Sequence, residues 1–251
     1  APLRPLAAGQ APAEPVALKY ICSGDPDKVR SRGLILYDLD GTLVDSRADL
    51  AAAVNAMRAS YNAAPVPLDY VVKRIGLGQR SMVELTSKDI DAPLDERINR
   101  LRSAYAACLL RETRLYPGVA ETLAALQAAG WHQGMLTNKN IEAARPILEG
   151  LGVVSFFKAV TGAEPGAPLK PDPAAVELAI RRTGWDRNGP AWMVGDHFTD
   201  LEAGRRSGLQ RCFCRYGFGW PGEETWELAV DRLDELARHL GVAVAVPAEE
   251  A

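Results

Sequence analysis

Short apolar runs alternate with longer amphipathic segments along most of the chain. The apolar runs predict β-strands at 34–37, 133–136, 157–161, 191–194 and 209–214. The segments between the later runs carry apolar residues three and four positions apart, which predicts helices. Alternation of strands and helices indicates βαβ units. The pattern therefore predicts an α/β fold with a parallel sheet.

The segment between the first two predicted strands is too long for a single crossover connection. It contains three stretches with a helical pattern, at 49–61, 81–88 and 94–111. Ligands of open α/β sheets bind outside the carboxyl ends of the strands, and this insertion begins where the first strand ends. We therefore expect a helical domain above the strand ends.

The predicted organisation is a core of residues 33–48 and 113–241 with a helical domain at 49–112 inserted into it. Residues 1–32 begin with a stretch rich in proline and alanine, which predicts a flexible leader with a possible extra edge strand. Residues 242–251 are expected to form a C-terminal tail.

Length and charge limit the possible functions only broadly. A chain of 251 residues with 47% hydrophobic content can bury a full α/β core beside a small second domain. A formal net charge of −3 gives no electrostatic footprint for nucleic acid or anionic lipid. No apolar run is long enough to span a membrane. We expect a cytoplasmic monomer or homodimer that binds neither nucleic acid nor membrane.

The cysteines do not form a metal-binding or disulfide pattern. There are four of them, at positions 22, 108, 212 and 214, and they contain no Cys-x-x-Cys pair. Cys212 and Cys214 lie two residues apart in a predicted strand, so their side chains share one face of the sheet. We expect reduced thiols, with this pair in the core.

Two carboxylates follow the first predicted strand. Asp38 and Asp40 come directly after the apolar run and just before Gly41. Two acids this close together repel each other unless a cation or a substrate proton offsets the repulsion. A turn capped by an aspartate side chain would explain the same tripeptide without any chemistry. The local sequence leaves both interpretations open.

Four motifs in a fixed order favour the chemical interpretation. They are Asp38-Leu39-Asp40-Gly41-Thr42-Leu43-Val44-Asp45-Ser46, Leu136-Thr137-Asn138-Lys139, Lys170-Pro171-Asp172-Pro173 and Val194-Gly195-Asp196-His197-Phe198-Thr199-Asp200. In this order they resemble the motifs of haloacid dehalogenase superfamily hydrolases, and an ordered set is far more specific than any single motif. Lys139, the Lys-Pro-Asp-Pro motif and the stretch 216–219 are most similar to phosphoglycolate phosphatases. The resemblance does not extend to residues 1–32.

The resemblance implies a Rossmann-like three-layer parallel-sheet core with an inserted all-helical cap domain. Such caps exclude bulk water from the site and select the substrate. The family pattern also suggests a short strand near Val230 followed by a helix. The spacing of Trp226, Val230, Leu233 and Ala237 suits a single helix instead, and the sequence leaves both possibilities open.

The resemblance also assigns roles in phosphoryl transfer. Asp38 would be the nucleophile that forms an aspartyl-phosphate. Asp40 would protonate the leaving oxygen and then activate water. Thr137 and Asn138 would bind phosphoryl oxygens, and Lys170 would neutralise both the phosphate and the nucleophile.

The same comparison implies a magnesium site. Asp38, the main-chain carbonyl of Asp40 and Asp196 would bind Mg²⁺, and Asp200 would orient ligands around the ion without binding it directly. The three ionised carboxylates of Asp38, Asp196 and Asp200 carry three negative charges. One Mg²⁺ ion and Lys170 would balance them.

Three further polar residues have open assignments. Lys139 lies either near the site or in solvent. His197 either contacts the leaving group or the water around the metal, or lies further out or in solvent. Arg80, in a glycine-containing loop of the insertion, either binds the carboxylate of a small acid or is an exposed loop residue.

The resulting functional hypothesis is a Mg²⁺-dependent phosphatase acting on a small phosphorylated metabolite, with phosphoglycolate as the best substrate candidate. A sugar-phosphate mutase of the β-phosphoglucomutase type shares the four motifs and remains an alternative. Nucleotides, sugar phosphates and pyrophosphate are alternative substrates. A noncatalytic binding protein is a remote alternative, because Asp38, Asp40 and Lys170 are all present.

Overall fold

A six-stranded parallel sheet forms the centre of the molecule. The computed structural model describes residues 31–245. The strands lie in the order β5-β4-β1-β6-β7-β8, and every neighbouring pair is parallel. Their bounds are β1 Leu34–Tyr37, β4 His132–Asn140, β5 Ala159–Ala163, β6 Ala191–Gly195, β7 Gln210–Cys214 and β8 Leu228–Val230. The predicted α/β fold with a parallel sheet is confirmed.

Helices cover both faces of the sheet because side chains alternate between the two faces along each strand. Within β1, Ile35 and Tyr37 join the larger apolar cluster, whereas Leu34 and Leu36 join the smaller one. The helices are α5 Val119–Ala128, α6 Ile141–Gly150, α7 Pro173–Thr183, α8 Phe198–Arg206 and α9 Asp234–His239. Helices α5, α6 and α9 contribute side chains to the larger cluster on one face of the sheet. Helices α7 and α8 contribute side chains to the smaller cluster on the other face. The core therefore has the three layers that were predicted.

A helical insertion separates β1 from β4. Its helices are α1 Arg47–Ala59, α2 Leu68–Val72, α3 Gln79–Thr86 and α4 Leu94–Ala106. They pack mainly through α1, which contacts both α2 and α4. Their apolar residues belong to the same cluster as one face of the sheet. The insertion is therefore continuous with the core.

Several predicted boundaries differ from the observed elements. The helix predicted at 94–111 ends at Ala106, and the chain continues in turns to Arg111. The five-residue helix α2 was missed, because it is too short to show a helical period. Leu228–Val230 is a strand that pairs with β7. The single helix suggested by the spacing of Trp226 and Val230 is therefore wrong.

The described residues include little of the predicted termini and three of the four cysteines. The predicted leader, its possible edge strand and Cys22 lie almost wholly outside the described residues, as does most of the predicted tail. Cys108, Cys212 and Cys214 are free and buried. Among residues 31–245, no helix is both long enough and apolar enough to cross a lipid bilayer.

Two connections join the insertion to the core, and they are tied together. β2 Val44–Asp45 pairs with β3 Arg114–Leu115 in an antiparallel ladder. Beside the ladder, the buried carboxylate of Asp49 accepts hydrogen bonds from the backbone N–H groups of Glu112 and Thr113 and from the Thr113 hydroxyl. Asp49 therefore fixes where the chain leaves and re-enters the core.

Asp49→Ala should lower the free energy of unfolding by about 2–4 kcal/mol, because it leaves several buried donors without an acceptor. Chemical denaturation of both proteins measures the difference. Asp91→Ala is the matched control, since Asp91 is an exposed aspartate of the same insertion, and it should change stability by less than about 0.5 kcal/mol. Equal stability of the two variants would contradict the role given to Asp49.

Candidate active site

The predicted site residues meet at the carboxyl edge of the sheet. Asp38 follows β1, Thr137 and Asn138 lie in the last part of β4, and Asp196 follows β6. β1 is hydrogen-bonded to both β4 and β6, so the ends of the three strands are neighbours. Parallel pairing is therefore what brings residues from distant parts of the chain into one site.

Lys170 lies at the centre of a buried ionic group. Its Nζ is 2.8 Å from Asp38 Oδ1 and 2.6 Å from Asp200 Oδ1, and it donates a hydrogen bond to the Leu136 carbonyl at 2.7 Å. All three charged residues are at most 5% exposed. Burial favours loss of the charge on Lys170, but Asp200 and Asp38 outweigh burial and raise the pKa of the ammonium. Lys170 is therefore held as a cation.

Asp196 completes the acidic group from the other side. Its Oδ2 accepts hydrogen bonds from the backbone N–H groups of Phe218 at 3.0 Å and Gly219 at 2.7 Å. Gly41 and Gly217 approach it so closely that an added Cβ would lie 1.9 Å and 2.5 Å, respectively, from Asp196 Oδ2. The motif residue Gly41, with φ of +83°, also has a backbone conformation that favours glycine.

The donor set fits a divalent cation. One carboxylate oxygen from each of Asp38, Asp196 and Asp200 lies within 4.8 Å of the others, and all three residues are buried. With Lys170 as the neighbouring cation, the group keeps an excess of two negative charges. Oxygen ligands are what hard cations such as Mg²⁺ and Ca²⁺ prefer. The residues present could therefore hold such an ion. Asp200 is placed to bind it directly, whereas the sequence predicted only an indirect role for Asp200.

Burial acts strongly on these carboxylates. It raises the pKa of Asp38 to about 6, with a further increase from Asp200 and an opposing effect from Lys170. Burial, Asp200 and Asp38 raise the pKa of Asp196 well above its ordinary range, although the N–H groups of Gly219 and Phe218 act in the opposite direction. Without a cation, the protein therefore favours the protonated forms of Asp38 and Asp196. A bound cation would favour their ionised forms.

Asp40 belongs to a separate ion pair. Lys139 Nζ lies 2.9 Å from its Oδ1 and 3.0 Å from its Oδ2, and the Ser46 hydroxyl also donates to Oδ1. The same ammonium lies 4.5 Å from the centre of the Tyr105 ring, which α4 contributes from the insertion. The Asp40 side chain is therefore not part of the carboxylate cluster, and the predicted metal contact of Asp40 was through its main-chain carbonyl.

Asn138 connects the site to the insertion. Its side chain accepts a hydrogen bond from the Lys170 N–H at 2.9 Å and donates to the Lys170 carbonyl at 3.0 Å. It also donates to the carbonyl of Gly76 in the insertion at 3.1 Å. The Asn138 side chain therefore fixes the backbone that carries Lys170.

A small cavity lies between the core and the insertion, with a volume of about 50 Å³. Asp38, Asp40, Thr137 and Lys139 line it from the core, and the residues that line it from the insertion include Leu50, Arg74, Ile75, Met82, Leu101 and Tyr105. A space of this size holds a few water molecules or a small ligand. The wall is cationic and acidic next to the sheet and largely apolar on the side of the insertion.

The residues with open assignments are now placed. Lys139 lies at the site, paired with Asp40. His197 is 7% exposed, and a Cβ added to Gly76 would lie 3.0 Å from its ring, so it packs against the insertion and is not solvent-facing. Arg80 does not line this cavity; its side chain is 67% exposed and pairs with Asp95 at 3.1 Å. The prediction of Arg80 as a substrate-binding residue is therefore not supported by its position.

Several residues of the site were not found from the sequence. Ser46 holds Asp40, Tyr105 lies beside Lys139, and Arg74 lines the cavity. Ser46 is the last residue of the first motif and could have been recognised there. The other two depend on how the helices of the insertion pack against the core, for which the sequence carries no local signal.

The chain belongs to the haloacid dehalogenase-like hydrolase family, whose family model matches residues 33–208. The resemblance found in the sequence is therefore confirmed, and the chain is an enzyme of this class. Phosphatases are prominent among its relatives in that family. It is 33% identical to a phosphoglycolate phosphatase of Colwellia psychrerythraea, over 78% of this chain and 90% of that protein.

Other relatives show the same family and more than one substrate. A phosphoglycolate phosphatase of Agrobacterium fabrum is 37% identical over 74% of this chain and 81% of its own length. An N-acetylmuramic acid 6-phosphate phosphatase of Pseudomonas aeruginosa is 31% identical over 82% and 92%. A solved structure of a predicted phosphoglycolate phosphatase from Haemophilus somnus superposes with a TM-score of 0.74 at 26% identity, covering 82% of this chain and 97% of that one.

Without metal, the raised pKa of Asp38 should make the wild-type protein lose stability as the pH rises. The folded state holds the Asp38 proton up to about pH 6, whereas the unfolded chain releases it near the ordinary value of 3.8. The stability that this proton contributes is present below pH 3.8 and is lost as the pH rises through about 6. Asp38→Asn removes this dependence, so wild type should lose on the order of 2–3 kcal/mol relative to the variant between pH 4 and 7.

Denaturation of both proteins in the presence of a chelator, at a series of pH values, measures this difference. Stability curves that remain parallel from pH 4 to 7 would contradict the effect of burial on Asp38.

Proposed function

We propose that the chain is a Mg²⁺-dependent phosphatase that hydrolyses a small phosphate monoester through an aspartyl-phosphate on Asp38. The observation that carries this proposal is the convergence of Asp38, Lys170 and Asp196 in one buried group, in which Asp38 also lines a small cavity. Phosphate monoesters are dianions, so their hydrolysis requires charge neutralisation, an aligned nucleophile and a proton for the leaving alcohol. The site offers a residue for each of these needs.

Asp38 is the proposed nucleophile. A carboxylate oxygen of Asp38 attacks phosphorus, the bond between phosphorus and the ester oxygen breaks, and the phosphoryl group is transferred to Asp38. Lys170, 2.8 Å from Asp38, favours the ionised carboxylate before the attack and offsets charge on the phosphoryl oxygens during it. The Thr137 hydroxyl, which lines the same cavity, donates to one of those oxygens.

Asp40 is the proposed acid and base. It gives a proton to the departing alkoxide, and in the second step it takes a proton from the water molecule that attacks phosphorus and regenerates Asp38. Ser46 and Lys139 hold its carboxylate at the cavity wall. Lys139 must therefore release one oxygen of Asp40 when that oxygen carries the proton.

Asp38, Asp196, Asp200 and the main-chain carbonyl of Asp40 are the proposed ligands of Mg²⁺. When bound, the ion would screen the negative charge of the phosphoryl group. Lys170 contacts Asp38 and Asp200 from the same buried group, so it offsets one of the three negative charges and a divalent ion would offset the other two.

The insertion is the proposed cap. We assign residues 49–112 to it and residues 33–48 and 113–241 to the core. Ile75, Met82 and Leu101 of the insertion line the cavity with apolar side chains. An apolar wall on this side limits the contact of the phosphoryl group with bulk water, which strengthens electrostatic interactions around it. The small volume also limits the size of the ester.

Phosphoglycolate is the proposed substrate. The cavity volume of about 50 Å³ favours a small leaving group, and several curated relatives are named phosphoglycolate phosphatase. The relative named for N-acetylmuramic acid 6-phosphate provides the main competing substrate. A sugar-phosphate mutase uses the same nucleophile but returns the phosphoryl group to a second sugar hydroxyl.

We expect phosphoglycolate to give the highest kcat/KM in a panel that also contains N-acetylmuramic acid 6-phosphate, a sugar phosphate, a nucleotide and pyrophosphate, each assayed with Mg²⁺. Asp38→Asn should lower the rate about 1,000-fold or more, because it removes the nucleophile. Asp186→Asn, which changes an exposed aspartate away from the site, should leave the rate unchanged. Release of inorganic phosphate is the readout, and the acid-quenched wild-type protein should carry one phosphoryl group on Asp38.

Undiminished turnover by Asp38→Asn would contradict the mechanism. Higher activity on another ester would make that ester the preferred substrate, and the protein would still be a phosphatase. Isomerisation of a hexose phosphate in the presence of a bisphosphate would identify a mutase instead.

A further inference from the structure

Arg74 is a cation of the cavity wall that has no acidic partner among the described residues. The other cations of this region are all paired, Lys139 with Asp40, Lys170 with Asp38 and Asp200, and Arg80 with Asp95. No ion pair joins Arg74 to a carboxylate anywhere in residues 31–245, and Arg74 lines the same cavity as Asp38 and Asp40. Its charge is therefore available to a ligand.

The guanidinium of Arg74 is held in place. It stacks on the ring of Tyr70, with 3.5 Å between Cζ and the ring centre, and one Nη donates to the Tyr70 carbonyl. The Tyr70 hydroxyl in turn donates to the Leu85 carbonyl at 3.1 Å, which fixes the ring from behind. The Nε of Arg74 is buried and has no hydrogen-bond partner. A buried donor of a charged group without a partner is costly, and Arg74 combines such a donor with a position in the cavity wall.

The backbone around Arg74 is hydrogen-bonded within the insertion and to the core. The Arg74 N–H donates to the Val71 carbonyl at 2.9 Å in the turn that ends α2. Two residues later, Gly76 accepts a hydrogen bond from Asn138, the residue that also holds the Lys170 backbone. The loop that carries Arg74 and the backbone that carries Lys170 are therefore hydrogen-bonded to the same residue, Asn138.

We propose that Arg74 binds a second anionic group of the substrate, and that it selects phosphate esters whose leaving group carries a carboxylate close to the ester oxygen. This inference rests on the proposed function, because it assumes that the phosphoryl group lies at Asp38. A guanidinium binds a carboxylate through two parallel N–H donors, and stacking on an aromatic ring orients these donors. The small cavity requires the two anionic groups to be near each other.

Arg74 fits this role better than the other cations. Lys139 would have to give up Asp40, the proposed acid and base, and the buried carboxylate would then lack its cationic partner. Arg80 is two-thirds exposed and outside the cavity. An ester without a second anionic group would leave Arg74 Nε unsatisfied, which disfavours its binding.

The test compares two phosphonates that the enzyme cannot hydrolyse. One is the isostere of phosphoglycolate in which a methylene group replaces the ester oxygen, and the other is propylphosphonate, which has a methyl group in place of the carboxylate. Titration calorimetry with Mg²⁺ present measures both affinities for wild type, Arg74→Met, Arg74→Lys and the control Arg80→Met. Chemical denaturation of each variant checks that the fold is retained.

Wild type should bind the isostere about 10- to 100-fold more tightly than propylphosphonate. Arg74→Met should abolish this preference while its affinity for propylphosphonate stays within about threefold, and Arg74→Lys should keep part of it. Arg80→Met should behave like wild type. A preference that survives in Arg74→Met, an equal loss of affinity for both phosphonates, or no preference in wild type would overturn the proposal.

Hydrolysis of phosphoglycolate by the same proteins separates this inference from the proposed function. Binding that depends on Arg74 without turnover of phosphoglycolate would contradict the proposed substrate and keep the role of Arg74. If Arg74→Met hydrolyses phosphoglycolate as fast as wild type, the role of Arg74 is contradicted and the proposed substrate is kept.

Discussion

An excess of buried negative charge at the ends of the two neighbouring strands β1 and β6 is the constraint on which the site depends. Asp38, Asp196 and Asp200 lie within reach of a single ion, and Lys170 is in direct contact with Asp38 and Asp200. Burial raises the pKa of Asp38 and of Asp196, so these carboxylates on their own tend to take up protons. Proton uptake, cation binding and phosphate binding are therefore linked through the same carboxylates.

The parts of the molecule that carry this group also position the insertion. Asn138 holds the Lys170 backbone and reaches Gly76, while His197, next to Asp196, packs against the same glycine. Lys139 lies between Asp40 of the core and the Tyr105 ring of α4. The position of the insertion above the strand ends is thus fixed by residues that are adjacent to the proposed catalytic groups. Opening of the cavity would disturb Asp40 and Lys170 together.

The sequence predicted the parts of the site that lie in the core, and the reason is local. Each motif follows an apolar strand, and parallel pairing of those strands brings Asp38, Thr137 and Asp196 to one edge. The motifs also predicted that Lys170 belongs to the site, although it lies on a loop before α7. The strand β8 was ambiguous because three residues are too few to show a period of two.

The insertion was less predictable. Its helices were found from their spacing, but α2 was too short to be recognised, and the orientation of the loop after it could not be derived. The sequence therefore suggested Arg80, and Arg74, six positions earlier, was missed. Arg74, and not Arg80, lines the cavity. This difference depends on the stacking of Arg74 on Tyr70 and on the packing of Gly76 against His197. These are tertiary contacts without a sequence pattern.

Mg²⁺ binding to the resting protein tests the central claim most directly. Titration calorimetry should show one ion bound per chain, with proton release below about pH 6, because the ion replaces protons on the buried carboxylates. Asp196→Asn should weaken this binding at least about tenfold, whereas Asp186→Asn should not change it. Equal affinity in wild type and Asp196→Asn would contradict the claim that these converging acids form the cation site.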